Sequence, residues 1–121
     1  EIDAEKFPSF AETVKKINAL GLRFGIWIEP EMVNEKSELF ATHPEWCLSS
    51  GRIPSVQRNQ LVLDMANEDV VEYLYRKFFK LLSCADISYV KWDMNRYLTE
   101  IGSAAFPADE QGSAQIRSRR L

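Results

Sequence analysis

Charged and amide side chains occupy alternate positions in the stretch YVKWDMNR, where an apolar segment runs out. Because side chains alternate across a β-strand, Lys91 and Asp93 share one face, which Asn95 continues as long as the chain stays extended. A buried strand accommodates such side chains only where they are paired or close to solvent. The C-terminal mouth of a parallel barrel meets both conditions, so we expect these residues to point inward there.

The earlier stretch FGIWIEP contributes a second set of side chains with the same strand parity. Trp27 and Glu29 share one face of this strand. Two adjacent parallel strands would bring these two side chains and those of Lys91 and Asp93 to the same end of the barrel. An aromatic ring packs against the C–H face of a sugar, a carboxylate acts on the anomeric carbon, and cations and amides bind hydroxyl groups. The combination therefore predicts a sugar-binding site.

These residues also have purely structural interpretations, which stay open at this stage. Lys91 and Asp93 suit an ion pair at a strand end equally well, since ion-pair networks also gather charge. Trp27 is a residue type that belongs more often to a core than to a ligand platform, and Arg58 in a polar loop is usually a solvated charge. A Schiff-base role for Lys91 is disfavoured because the neighbouring Asp93 would stabilise its protonated form.

No metal or cofactor is predicted. His43 in the stretch THPEW has no partner His or Cys at metal-ligand spacing, and it suits a helix end or a packing role. Glu29 and Glu31 flank a proline but lack a third oxygen donor nearby, which makes a hard-metal site weak. Cys47 and Cys84 form no CxxC pair, and we expect two reduced, half-buried thiols in a cytoplasmic protein.

Hydrophobic periodicity indicates the elements that must position these residues. It predicts a helix over 9–20, a strand over 24–28, a second helix over 67–83 and a strand over 87–92. Both predicted strands are short, continuous apolar runs, as is typical of parallel strands buried on both faces. The order is a βαβ unit preceded by a helix, which predicts an α/β fold with a parallel sheet.

The predicted helices carry recognisable end signals. Ser9 with Glu12 forms a capping-box pattern, and Gly21 suits the left-handed position that ends a helix. Asn67 suits the N-cap of the second helix. The buried stripe of that second helix is predicted to consist of Val70, Leu74, Phe78, Leu81 and Leu82.

The connection from residue 30 to residue 66 is far longer than the roughly two to six residues usual in α/β units, which indicates a functional loop. It contains a predicted short helix over 36–42 and an extended piece, LVLD. No helix long enough for a crossover separates LVLD from FGIWI, so LVLD is assigned to the loop and not to the sheet. Arg58 then lies at the C-terminal, ligand-facing end of the strands.

Composition limits the class of protein. The chain has 121 residues, of which 45% are hydrophobic, and this is enough for a packed core. Its net charge of −3, with both signs intermixed, argues against a nucleic-acid partner. No apolar run approaches the roughly 20 residues of a membrane span, so no membrane partner is expected.

Four motifs in order, GIWIEPEMV, HPEW, RNQLVLD and YVKWDMNR, resemble the melibiase-type α-galactosidases of glycoside hydrolase family 36. The likeness covers about residues 8–102. It implies a (β/α)₈ TIM barrel, of which this chain would hold about two consecutive parallel strands with flanking helices and a long βα loop. It also implies a retaining double-displacement mechanism on terminal α-galactosides of the melibiose and raffinose type.

The site roles follow from this resemblance alone. Asp93, the Asp of KWDMN, would be the catalytic nucleophile, and Lys91 and Asn95 of the same motif would bind the sugar. Arg58 of RNQ would be a substrate ligand, and Trp27 of GIW would line the pocket. Retaining glycosidases also need an acid/base carboxyl group about 5–5.5 Å from the nucleophile, for which this chain offers no candidate.

The family pattern extends beyond this segment, with an Asp-Asp-Gly-Trp strand upstream and an acid/base Asp downstream. We therefore expect residues 1–102 to be a fragment of a catalytic barrel. Residues 103–121 lose hydrophobic periodicity and match the family pattern only partly, so we expect them to be a divergent, poorly ordered tail. The alternatives are an inactive truncated product, a raffinose-synthase-like transglycosidase and an α-N-acetylgalactosaminidase. The chain alone is expected to be inactive, and whether the full-length protein is a homo-oligomer stays open.

Overall fold

The structure is a computed structural model that describes residues 2–52 and 55–112. In chain order it contains helix α1 (Phe10–Ala19), strands β1 (Gly25–Ile28) and β2 (Met32–Val33), helix α2 (Glu38–Thr42), a 3₁₀ helix (Pro44–Trp46), strand β3 (Leu61–Val62), helix α3 (Glu68–Ser83), strand β4 (Tyr89–Trp92) and a second 3₁₀ helix (Ala108–Glu110). The chain divides into two compact units. The strand unit comprises the chain up to Ile28 with Tyr75–Asp93, and the loop unit comprises Glu29–Leu74 with the chain from Met94 onward.

The strand unit is built on two adjacent parallel strands. β1 pairs with β4 in a register that runs from Gly25↔Tyr89 to Ile28↔Trp92. Gly25 leaves room for the Tyr89 ring, because a Cβ at its position would lie 2.6 Å from Tyr89 Cδ1. α3 lies between the two strands in the chain, so the predicted βαβ order and parallel pairing are confirmed. Within the described residues this sheet has two strands, so each of them is an edge strand.

Side-chain contacts join α1 to the segments that lead into both strands. The Phe10 and Phe24 rings meet edge to face, with 5.8 Å between their centroids. Asn18 accepts a hydrogen bond from Phe24 N at 3.2 Å and donates one to Asp86 O at 3.0 Å. One side chain near the end of α1 therefore holds the entry to β1 and the approach to β4.

The helix ends follow the sequence signals with one exception. Gly21 has a φ of 79° after α1, and Asn67 Oδ1 accepts from Asp69 N at 2.9 Å, so both predicted ends are confirmed. The predicted capping box at Ser9 is wrong, because its hydroxyl makes no cap hydrogen bond. With a ψ of 79°, Ser9 lies outside the extended conformation that directs an N-cap hydroxyl at the first turn. Its carbonyl instead accepts from the backbone N–H and the hydroxyl of Thr13.

The loop unit carries its own small antiparallel sheet. β2 pairs with β3, with Val33 opposite Leu61, so LVLD belongs to the excursion and not to the β1–β4 sheet, as predicted. The short helix predicted over 36–42 is α2, and Ser37 Oγ caps it by accepting from Phe40 N at 3.1 Å. The buried apolar side chains of this unit are Val33, Cys47, Leu48, Leu61, Val62, Leu63, Ala66, Val70 and Leu74.

Burial along α3 declines toward its C-terminal end. Val70 and Leu74 are buried, whereas Leu82 is exposed, so the predicted stripe is confirmed in its first half and not at its end.

The two cysteines are both free, but they differ in environment. Cys47 is buried and Cys84 is exposed, where the sequence predicted two half-buried thiols.

The segment predicted to be a tail begins at Ser103, and its described part runs to Gly112. Ser103 is buried, and its hydroxyl donates to the fully buried carboxylate of Asp64. The Gln111 carboxamide bonds to both backbone groups of Ser103, each at 2.9 Å. Ser103 is therefore tied into the loop unit. Residues 113–121 lie outside the described residues, and the domain boundary after residue 102 stays a prediction.

Candidate functional site

The first cluster of predicted site residues lies in the strand unit, where β1 and β4 end. Asp93 directly follows β4, and its backbone N–H donates to Ile28 O at 2.9 Å, which extends the ladder by one bond. Asp93 Oδ2 accepts from Trp27 Nε1 at 2.9 Å and lies 3.5 Å from Lys91 Nζ. Trp27 and Lys91 are register partners. The prediction that Lys91 and Asp93 share one face of a strand parallel to β1 is confirmed.

This arrangement orients a carboxylate and leaves it accessible. An ammonium group and an indole N–H both stabilise the negative charge on the same oxygen of Asp93. Trp27 is 50% exposed and the Asp93 side chain is 23% exposed, so a ligand can reach both. Trp27 is therefore not part of a core in this chain. An oriented, accessible carboxylate of this kind can act as a nucleophile.

The second cluster lies in the loop unit and is centred on Glu29. One carboxylate oxygen, Oε1, accepts from Arg58 Nη1 at 2.9 Å and from Asn95 Nδ2 at 3.2 Å. The other oxygen, Oε2, accepts from Gln60 Nε2 at 3.2 Å. Glu29 thus brings together two of the predicted site residues, Arg58 and Asn95. The sequence predicted Glu29 as one of the side chains gathered at the sugar site, although the family resemblance gave it no role, and it gave no indication of Gln60.

The environment of Glu29 favours its ionised form. Its side chain is 9% exposed, whereas that of Arg58 is 51% exposed. Burial by itself raises the pKa of Glu29, but hydrogen bonds from Gln60, Asn95 and Arg58, together with the Arg58 charge, outweigh burial and hold the pKa below its ordinary value. A guanidinium group has five N–H donors, so Arg58 can bind Glu29 and still contact a ligand from its exposed side.

Arg58 lies in a strained two-residue turn. Gln57 and Gln60 exchange backbone hydrogen bonds of 3.3 and 2.9 Å. Between them, Arg58 and Asn59 have φ angles of 55° and 58°, and positive φ at both central residues is typical of a type I′ hairpin turn. Asn tolerates this conformation, but for most other residues it costs about 1–3 kcal/mol. Such strain is concentrated at functional sites, which favours a ligand-binding role for Arg58.

Two side chains hold the backbone of this turn. Asn34 Nδ2 donates to Asn59 O at 2.7 Å. Arg96 has a side chain that is 1% exposed, and it donates from Nη1 to Gln60 O and from Nη2 to Ser55 O, the latter at 2.9 Å. Sequence analysis missed Arg96, because Arg is seldom buried and no local pattern marks this one.

His43 packs against an aromatic neighbour. Its ring stacks on Trp46 with centroids 3.9 Å apart and planes 8° apart, and Trp46 meets Tyr73 edge to face. The predicted packing role is confirmed.

Across 2–52 and 55–112, no group of three or more His, Cys, Asp or Glu side chains is arranged to hold a metal ion. In the same part of the chain, no helix is long and apolar enough to cross a membrane.

Comparisons with known proteins identify relatives over almost the whole chain. The melibiase family model matches residues 1–118. The chain is 49% identical over 112 residues to α-galactosidase AgaA of Geobacillus stearothermophilus, a match that covers 91% of the chain. It is 40% identical over 119 residues to α-galactosidase 1 of Pediococcus pentosaceus, a match that covers 97% of the chain. The chain spans 15% and 16% of the length of these two relatives.

Solved structures match in the same way. The glycoside hydrolase family 36 α-galactosidase AgaB of Geobacillus stearothermophilus has a TM-score of 0.93 at 46% identity, over 97% of this chain and 16% of that one. An AgaA variant from the same organism, in complex with raffinose, has a TM-score of 0.90 at 47% identity, over 96% of this chain and 16% of that one. With its four ordered motifs, its parallel strand pair and a family match that covers nearly its full length, the chain belongs to the melibiase family.

Proposed function

We propose that the chain is the nucleophile-bearing section of the catalytic (β/α)₈ barrel of a retaining α-galactosidase, with β1 and β4 as consecutive barrel strands. Within residues 2–52 and 55–112, both strands are edge strands. Large apolar side chains of the strand unit are exposed, namely Leu22, Tyr75, Phe79, Tyr89 and Trp92. A barrel of this type has eight strands in about 250 residues, so further strands and helices would cover these side chains.

The observation that carries the proposal is the Asp93 carboxylate, held beside Trp27 and Lys91 at the end of β4. Asp93 attacks the anomeric carbon of a terminal α-galactoside, while an acid outside this chain protonates the leaving oxygen. Water then cleaves the β-galactosyl ester on Asp93, with the same acid now acting as a base. Two displacements at one carbon retain the anomeric configuration.

Substrate binding is assigned in the same proposal to Lys91, Asn95, Arg58 and Trp27. The first three carry ammonium, amide and guanidinium donors for sugar hydroxyls, and the half-exposed Trp27 ring offers an apolar face. AgaA variants have been crystallised with raffinose and with stachyose, which favours α-galactosides of this kind as substrates. That Arg58 lies at the ligand-facing end of the barrel strands stays a prediction.

The replacement Asp93→Gly in the complete protein tests the proposal. We expect a loss of turnover of p-nitrophenyl α-galactoside of about 10⁴-fold or more, because no group remains to form the ester. Added azide should restore part of the turnover and give β-galactosyl azide, since it attacks from the face that Asp93 occupied. The isolated chain should show no turnover with or without azide, because the proposed acid lies outside it.

The matched control is Glu12→Gln, which changes an exposed carboxylate in α1 of the same unit and should leave turnover unchanged. Normal activity in Asp93→Gly would refute the role of Asp93. An azide product with retained configuration would refute the retaining mechanism.

A further inference from the structure

We propose that Glu29 is a positioning residue of the sugar site, whose carboxylate sets the geometry that Arg58 and Asn95 present to the substrate. This inference rests on the proposed function, which assigns substrate binding to those two residues. Glu29 itself acts through them and not through contact with the sugar.

The bonding pattern couples the two substrate-binding residues. Arg58 Nη1 and Asn95 Nδ2 donate to the same oxygen of Glu29, so a displacement of that oxygen moves both donors. Gln60 Nε2 donates to the other oxygen at 3.2 Å and thereby limits rotation of the carboxylate. The three donors come from two segments that are far apart in the sequence, and Glu29 sets the distance between their side-chain tips.

Burial and charge explain why a carboxylate is used at this position. The Glu29 side chain is 9% exposed, so most of its surface is covered by protein and the carboxylate has little freedom to move. The Arg58 side chain is 51% exposed and has many rotamers of its own. A charged acceptor restricts that freedom before a ligand arrives, which lowers the entropy lost on binding.

The contacts of Glu29 differ from those that build the loop unit. Asn34 and Arg96 bond to backbone carbonyls and so hold the path of the turn. Glu29 bonds to the ends of three side chains, those of Arg58, Gln60 and Asn95. Removing Glu29 should therefore leave the turn in place and disorder the groups that it presents.

Glu29→Gln in the complete protein tests this role, because it keeps the shape of the side chain and removes its charge. We expect the KM for p-nitrophenyl α-galactoside to rise by up to about 100-fold, with a much smaller change in kcat. The loss falls on KM because sugar contacts made equally in the ground state and the transition state lower KM without raising kcat. The melting temperature should stay close to that of the unchanged protein.

Two further variants complete the design. Glu35→Gln neutralises an exposed carboxylate of the same excursion and should change neither KM nor melting temperature. In an Arg58→Ala background, Glu29→Gln should raise KM by a much smaller factor than it does alone. The reason is that Arg58, one of the two substrate-binding residues that Glu29 positions, is already absent. If the factor by which Glu29→Gln raises KM is the same with and without Arg58, Glu29 does not act through Arg58, and the proposal is overturned.

The remaining outcomes are equally decisive. An unchanged KM in Glu29→Gln overturns the proposal, as does a lower kcat and melting temperature at constant KM, which would indicate a structural role. If Glu29→Gln does not fold, Glu29→Asp keeps the charge and moves it back by one methylene group, and its KM must rise. Loss of activity in Asp93→Gly together with an unchanged KM in Glu29→Gln rejects this inference alone, whereas an active Asp93→Gly variant rejects the proposed function.

Discussion

Trp27 has two features, an N–H donor and an exposed ring, whose proposed roles a pair of substitutions can separate. Its indole N–H donates to Asp93 Oδ2 at 2.9 Å, and its half-exposed ring offers a flat apolar face to a sugar. Trp27→Phe removes the N–H and keeps most of the ring, whereas Trp27→Ala removes both. The first variant therefore reports on the orientation of the proposed nucleophile, and the difference between the two variants reports on the proposed contact with the sugar.

The exposure of both partners sets the size of the first effect. A hydrogen bond to a charged group contributes about 1.5–3 kcal/mol. Trp27 is 50% exposed and the Asp93 side chain 23% exposed, so water partly replaces the lost donor and the lower end of that range applies. At about 1.4 kcal/mol for each factor of ten, kcat should fall about tenfold in Trp27→Phe. A lost aromatic contact of about 0.5–1.5 kcal/mol should lower kcat/KM of Trp27→Ala by a further factor of about 2–10.

Release of p-nitrophenol from p-nitrophenyl α-galactoside by the complete protein gives kcat and kcat/KM for each variant. Trp92→Phe is the matched control, because Trp92 lies on the opposite face of β4 by strand parity and should keep its kcat. A rate in Trp27→Phe equal to that of the unchanged protein would refute the role assigned to the hydrogen bond. Equal kcat/KM values in Trp27→Phe and Trp27→Ala would refute the role assigned to the ring.

Three further outcomes are expected. Arg96→Met removes the charged donor of two backbone carbonyls, so it should lower the free energy of unfolding by about 3–5 kcal/mol and raise KM. An unchanged melting temperature would contradict this expectation. Ser103→Ala removes a donor to the buried Asp64 and should lower the free energy of unfolding, measured by denaturant titration, by about 1–3 kcal/mol. An unchanged denaturant midpoint would show that this hydrogen bond is dispensable. Burial, with nearby carboxylates, raises the pKa of the Cys47 thiol to about 11, so a thiol reagent followed by peptide mass spectrometry should label exposed Cys84 first. Equal labelling rates would contradict that order.

The parts of the structure that follow local rules could be predicted from the sequence. Strand parity placed Lys91 and Asp93 on one face, and the lack of a crossover helix assigned LVLD to the loop. The Glu29 cluster could not be found in this way, because its donors lie 29, 31 and 66 positions along the chain from it. Hydrogen bonds over such separations depend on the tertiary path of the loop. The capping box failed for a related reason, since it needs a backbone angle that residue types alone do not determine.

The two clusters are held by different physical means, and the difference matches their proposed tasks. A nucleophile must keep its position closely, and Asp93 is fixed by a ladder hydrogen bond to Ile28 O and by donors on its side chain. A substrate ligand must be accessible, and Arg58, the proposed ligand, is half-exposed on a turn in which its φ is 55°. Glycine would adopt that backbone without strain, so the turn alone gives no reason for an Arg at this position. The side chain gives one, because it bonds to the largely covered carboxylate of Glu29 while it stays half-exposed itself. Hydrogen bonds from Asn34 and Arg96 to the carbonyls of Asn59 and Gln60 hold the strained backbone of this turn.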